Sequence, residues 1–127
     1  MLNKAMLIGR LGKDPDVKYT PDGAMVTTFF IATDEQWKDK NGEKVQKTEW
    51  HKIVAYRKLA EICGNYLKKG SLVFIEGRIQ TRSWEDKDGI KHYTTEIVAV
   101  DMKMLDGKKD ESQQLAADGM PLDDVPF

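Results

Sequence analysis

With a single cysteine, Cys63, among its 127 residues, the chain can form no intrachain disulfide, and it has no Cys/His cluster to hold zinc. Histidine is nearly as scarce. His51 and His92 have no second ligand or nucleophile at a useful spacing, and both read as strand-surface residues. No apolar run approaches the roughly 20 residues that cross a bilayer, so no membrane partner is expected. Met1-Leu2-Asn3-Lys4 leads straight into strand-like sequence, without the apolar stretch of a signal peptide, and a cytosolic setting is the expectation. Phosphate-loop, zinc-protease and serine-hydrolase motifs are missing too. No residues are found to carry catalysis, and no cofactor or metal is expected.

An excess of one charge is also lacking, because the net charge of -1 is an average over unlike parts. Residues 106–127 hold six acids against two bases, a balance of -4, and residues 1–105 hold eighteen bases against fifteen acids, a balance of +3. A mildly basic body carries an acidic tail. That body suits a nucleic-acid partner only if its cations cluster.

What is present is a run of strand signals. Residues 4–12 read as a first strand and Asp14-Pro15-Asp16 as a break, after which Val17-Lys18-Tyr19 resumes before a turn at Thr20-Pro21-Asp22-Gly23. Residues 24–36, rich in β-branched and aromatic side chains, read as a second strand. Asn41-Gly42 predicts a type I′ hairpin turn, and a third strand follows over about 45–56. The period then changes: Leu59, Ile62, Cys63, Tyr66 and Leu67 form one face of a helix, with Gly70 as its left-handed cap. A fourth strand runs from Ser71 to about Trp84, Asp88-Gly89 marks a second hairpin, and a fifth strand covers about 91–104. The two hairpins echo each other, with Trp, Asp, Lys and Gly at matching spacing in 37–42 and 84–89.

The order β-β-β-α-β-β predicts a mainly β chain. Its expected architecture is an OB-fold, a five-stranded Greek-key barrel with one helix between strands three and four. Gly9, Gly12 and Gly77 are placed to bend the long strands into closure. A plain open α+β sheet is the competing architecture.

Residues two apart in a strand share a face, so Trp50, Lys52, Val54 and Tyr56 stand on one side of strand three and Glu49, His51, Ile53 and Ala55 on the other. At ~3.3 Å per residue the two aromatics lie about 20 Å apart. That separation fits unpaired bases stacking on the rings with a phosphate near Lys52, each stack worth roughly 1–3 kcal/mol. Duplexes hide base faces, so an aromatic and basic surface without a recognition helix favours a single strand. Burial in the core is the competing reading for the tryptophans. Trp37 and Trp84 adjoin polar hairpins, however, and Trp50 is flanked by Glu49 and His51.

After Leu105 the periodicity stops, and the polar residues 106–119 predict a disordered linker. The chain closes on Asp123, Asp124, Val125, Pro126 and Phe127. An aromatic ring, a proline and a free carboxylate behind two acids can fill an apolar pocket with a basic rim, which predicts a partner-docking peptide at 120–127. An ordinary acidic solubilising tail is the competing reading.

Taken in order, LIGRLGKDP at 7–15, TEWHKIVAY at 48–56, KLAEICGNYLKKG at 58–70, IEGRIQTRSW at 75–84, YTTEI at 93–97 and DDVPF at 123–127 closely resemble the bacterial single-stranded DNA-binding proteins. The resemblance implies an OB-fold domain over 1–105, a homotetramer, and single-stranded DNA wrapped around it in replication, recombination and repair. It implies stacking at Trp37, Trp50, Tyr56 and Trp84, where Tyr56 replaces a common phenylalanine. Phosphate contacts are implied for Lys4, Arg10, Lys18, Lys52, Lys58, Lys69, Arg78, Arg82 and Lys87. The acidic tip implies docking of replication and repair proteins, with Val125 in place of the commoner isoleucine, and a nucleoid-associated location follows. The linker departs from the family in being short and in lacking a long Gly/Pro/Gln-rich character. An oligomeric OB-fold adaptor of the primosomal accessory type and a single-stranded RNA binder stay open as alternatives, because stacking does not read the 2′-hydroxyl.

Overall fold

A computed structural model of the chain describes residues 1–106. The expected disordered linker, apart from Asp106, and the expected docking peptide at 120–127 lie outside the described residues. Six strands and one helix are described: β1 (Ala5–Leu11), β2 (Asp16–Tyr19), β3 (Met25–Lys38), β4 (Lys44–Tyr56), α1 (Arg57–Tyr66), β5 (Leu72–Glu85) and β6 (Lys91–Met104). β2 is the segment expected to resume at Val17 after a break at Asp14-Pro15-Asp16; it begins one residue earlier, at Asp16, and β1 and β2 together make the first of the five barrel strands.

The sheet runs β1-β5-β6-β4-β3-β2, and β1 also pairs with β3 through Arg10↔Ala32 and Leu11↔Ile31. That second pairing closes the ring. The closed barrel rules out the open α+β sheet. β4 and β6 run parallel, through Ile53↔Ile97 and Val54↔Val98, and the other pairs are antiparallel.

Alternation places one side of β1, β3, β4, β5 and β6 inside, while all four residues of β2 are exposed. Phe29, Ile31, Ile53, Ala55, Val73, Ile75, Ile97 and Ala99 fill the interior. Closure of so small a barrel brings backbones together where no Cβ fits. A Cβ at Gly9 would overlap the Ala32 carbonyl oxygen, and one at Gly77 would overlap that of Val98. Gly77 also adjoins the register shift between β5 and β6.

Helix α1 closes one end with Ala60, Cys63 and Leu67 buried, and Thr27 Oγ1 donates to the Ala60 carbonyl at 2.8 Å. Two helix details differ from expectation. Tyr66 is 63% exposed, and Ala60 takes the inward place instead. Gly70 does have a positive φ, 89°, but it turns the chain after the helix, where Ser71 N–H reaches the Lys68 carbonyl, while Leu67 is the cap.

The hairpins also differ. Only the glycine of each expected pair has a positive φ, 78° at Gly42 and 77° at Gly89, so neither turn is type I′. Each loop holds three residues. Asp39 N–H donates to Glu43 O and Gly42 N–H to Asp39 O, and Asp86 does the same with Ile90 and Gly89. The carboxylates of Asp39 and Asp86 each accept two further backbone N–H groups across their loops. An aspartate that satisfies the loop's own donors stabilises the longer turn.

Candidate nucleic-acid interface

Register carries one face of β4 across three strands. Trp50, Lys52 and Tyr56 point away from the core, opposite Ile53 and Ala55, which are fully buried. Lys52 lies beside Glu96 of β6, and the β5–β6 pairing adds Gln80↔Glu96, Arg82↔Thr94 and Trp84↔His92 on the same outward side. Arg78, opposite Val98, joins them. On the other flank, β3 contributes Phe30 beside Lys52 and Ala32 beside Trp50. Trp50, Tyr56 and Trp84 are 54%, 43% and 46% exposed, so the rings are open rather than buried.

Two of the rings are held in place. A Cβ on Gly12 would lie 2.6 and 2.7 Å from Cζ3 and Cη2 of Trp50, so the bare glycine is the seat of that indole. Trp84 stacks on His92 with centroids 4.5 Å apart and planes 23° apart, and its Nε1–H donates to Thr94 Oγ1 at 3.1 Å. His92 Nε2 is 2.8 Å from Asp86 Oδ2. Asp86 is thereby held below the usual carboxylate range, first by His92 and then by the Ile90 N–H. Turn, histidine and indole form one chain of contacts that leaves a single face of Trp84 for a ligand.

Trp37 is placed differently. It pairs with Val45, which puts it on the side of Thr33, Glu35, Lys47 and Glu49, opposite Trp50. At 45% exposure it is an open ring, but a strand touching both tryptophans has to pass around the hairpin. His51 shares that side and bonds Thr33 Oγ1 at 2.9 Å, away from the ring of Trp50.

The nine expected cations divide in the same way. Lys52, Arg78 and Arg82 stand on the aromatic face, and Lys87 lies in the β5–β6 turn beyond Trp84. Lys4 pairs at 3.0 Å with Glu76, which is two residues before Arg78 on the outward side of β5. Lys18 pairs with Asp16 at 3.6 Å on β2, where register keeps it on the side of Tyr56 with Val26 between them, whereas Lys58 pairs with Glu61 at 3.8 Å on α1. Arg10 donates to the Gly70 carbonyl at 2.9 Å, and Lys69 sits in the turn after α1, where its backbone N–H reaches Asp14. Sequence reasoning missed Phe30, Gln80, His92 and Glu96 as members of this face. For Phe30 the signal was present, since a second aromatic beside Phe29 in an alternating strand has to point outward.

A closed OB barrel with open aromatic rings and cations on one sheet face defines the class: an OB-fold protein built to hold an extended, ring-bearing polyanion. The model of the single-strand binding protein family matches residues 2–105, and the chain belongs to that family. It is 58% identical over 111 residues to the single-stranded DNA-binding proteins of Neisseria meningitidis serogroups A and B, covering 87% of this chain but only 64% of theirs. It is 48% identical over 131 residues to single-stranded DNA-binding protein 1 of Xylella fastidiosa, covering 99% and 96%. Among solved structures, the Plasmodium falciparum SSB complex with ssDNA matches with TM-score 0.76 and 40% identity over 83% of this chain and 96% of that one. A deletion mutant of the Thermus aquaticus single-stranded DNA-binding protein matches with TM-score 0.73 and 33% identity, over 85% and 52%.

Proposed function

We propose that the chain binds single-stranded DNA with little regard to sequence, by stacking bases on aromatic rings and pairing phosphates with lysine and arginine. The observation that carries this reading is the outward face on which half-exposed Trp50, Tyr56 and Trp84 flank Lys52, Arg78 and Arg82. Trp37 serves a second stretch of the strand on the far side of the hairpin, and Lys4, Arg10, Lys18, Lys58, Lys69 and Lys87 extend the path as secondary phosphate contacts. In this reading residues 1–105 form the DNA-binding domain, 106–119 a linker, and 120–127 the docking site for replication and repair proteins. Assembly into a homotetramer is supported by Met6 and Ile8, apolar residues 59% and 49% exposed on the outside of β1.

The test is a titration of the full chain with oligo-dT, read by tryptophan fluorescence, with oligo-rU and duplex DNA as competitors at one fixed salt concentration. Quenching by dT, weaker competition by the other two, and affinity falling with salt are expected. Equal competition by rU would move the reading to RNA, and failure of dT to quench would reject it. Deleting 121–127 is expected to abolish capture of replication and repair proteins while leaving DNA affinity intact or slightly stronger. A marked loss of DNA binding would overturn the assignment of that segment.

A further inference from the structure

The least expected residue on the aromatic face is an acid. Glu96 is 2% exposed, yet it stands on the outward side of β6 between Lys52 of β4 and Arg82 of β5. Its carboxylate lies 3.6 Å from Lys52 Nζ and 3.3 Å from Arg82 Nε, and it accepts from Gln80 Nε2 at 3.1 Å. Two of the three cations on the central strands of this face therefore meet an anion before any phosphate arrives.

The contacts are of a kind that can be exchanged. Charge-assisted bonds close to about 2.7–2.9 Å, and both of these are longer. Arg82 uses Nε alone, to both carboxylate oxygens at 3.3 Å, which leaves its outer nitrogens free of Glu96. The side chains of Arg82 and Lys52 are 50% and 24% exposed, so their charged ends can turn outward, while the buried carboxylate, held by Gln80, cannot follow. An ion pair so placed contributes little to stability, because desolvating the charges offsets most of their attraction.

Resting on the reading that this face binds single-stranded DNA, we propose that Glu96 is an affinity-setting residue: a fixed internal anion that competes with phosphate for Lys52 and Arg82. In the free protein it neutralises one of their two charges. In the complex it remains under the backbone as a like charge. The strand is thus held less tightly than the aromatic and cationic residues alone would hold it, and it is released or shifted more readily.

The test is Glu96→Gln, which keeps the shape and the bond to Gln80 and removes the charge. Oligo-dT affinity is measured for the full chain and the variant across a salt series. Binding about tenfold tighter is expected, the factor that 1.4 kcal/mol represents. The log–log salt dependence is expected to steepen by about 0.7, the value of one more neutralised phosphate on a single strand. Equal or weaker binding by the variant would overturn the proposal and make Glu96 a positioning residue for the two cations. Absence of binding by the unaltered chain would instead reject the functional reading. A second measurement needs no variant: the Arg82 Nε–H resonance of the unaltered protein is expected to shift when dT saturates it. A resonance unmoved by DNA would show that the pair does not exchange, and would overturn the proposal.

Discussion

Replacing Gly12 by alanine isolates the seat of Trp50 from the rest of the fold. Gly12 has no positive φ, so its backbone accepts an alanine, and its N–H bond to Phe30 O at 3.2 Å is untouched. The new methyl would stand 2.6 and 2.7 Å from two carbons of the indole, where ordinary carbon contacts begin near 3.5 Å. The ring must retreat by about 1 Å, and because it is 54% exposed it retreats into solvent at little expense to the fold. Stability should change by less than about 0.5 kcal/mol, or rise slightly as the unfolded chain loses freedom. A base stacked on that ring is worth roughly 1–3 kcal/mol, and displacing the ring should forfeit about 1 kcal/mol, close to fivefold in affinity. Anisotropy of labelled oligo-dT measures the loss, and a thermal melt checks the fold. Unchanged affinity, in a background where Trp50→Ala does weaken binding, would refute the idea that the seat matters. A collapse of the melt would show that the backbone, and not the indole, requires glycine.

Three further expectations concern stability and titration. Gly77→Ala should cost about 3 kcal/mol in urea unfolding, because its methyl meets the Val98 carbonyl and lies 2.9 Å from Ala99 Cα, all of it backbone; a loss below about 0.5 would contradict this. His92→Gln should raise the Asp86 titration toward the ordinary 3.8, since His92 is the first cause of its depression. A carboxyl depressed in the fold stabilises above its unfolded value and loses that contribution as pH falls through the folded one, so the variant should have less of it to lose and should have lost it all at a higher pH. Carbon NMR across the acid range reads the midpoint, and an unmoved midpoint would assign the effect to the loop N–H groups alone. Burial pushes the Cys63 thiol up to about 12, so a disulfide reagent at pH 8 should label it only after denaturation, and prompt labelling of the native protein would contradict its burial.

The barrel was legible because its signals are local. Alternation in β4 separates Ile53 and Ala55 from Trp50, Lys52 and Tyr56 without knowledge of any partner strand. The faces of Trp37 and Trp84 depend on loop length, which is where the reading failed. A two-residue turn at Asn41-Gly42 would shift the register by one and bring Trp37 to the side of Trp50. Asp39 binds the loop's N–H groups, a three-residue loop forms, and Trp37 falls on the opposite side. The same turn at Asp86 sets His92, rather than Tyr93, beside Trp84. The aspartate shared by the two hairpins was visible in the sequence, but its part in setting register was not. Glu96 was out of reach for a different reason: its neighbours come from β4 and β5, and the parallel β4–β6 pairing that sets it beside Lys52 joins strands far apart in the chain.

The central claim is that unpaired bases lie on the outward rings of β4, and removing two of them tests it most directly. Oligo-dT affinity of a Trp50→Ala/Tyr56→Ala variant should fall by about 2 kcal/mol or more, some thirtyfold, with the salt dependence unaltered because no charge is lost. Affinity equal to that of the unaltered chain would contradict the account.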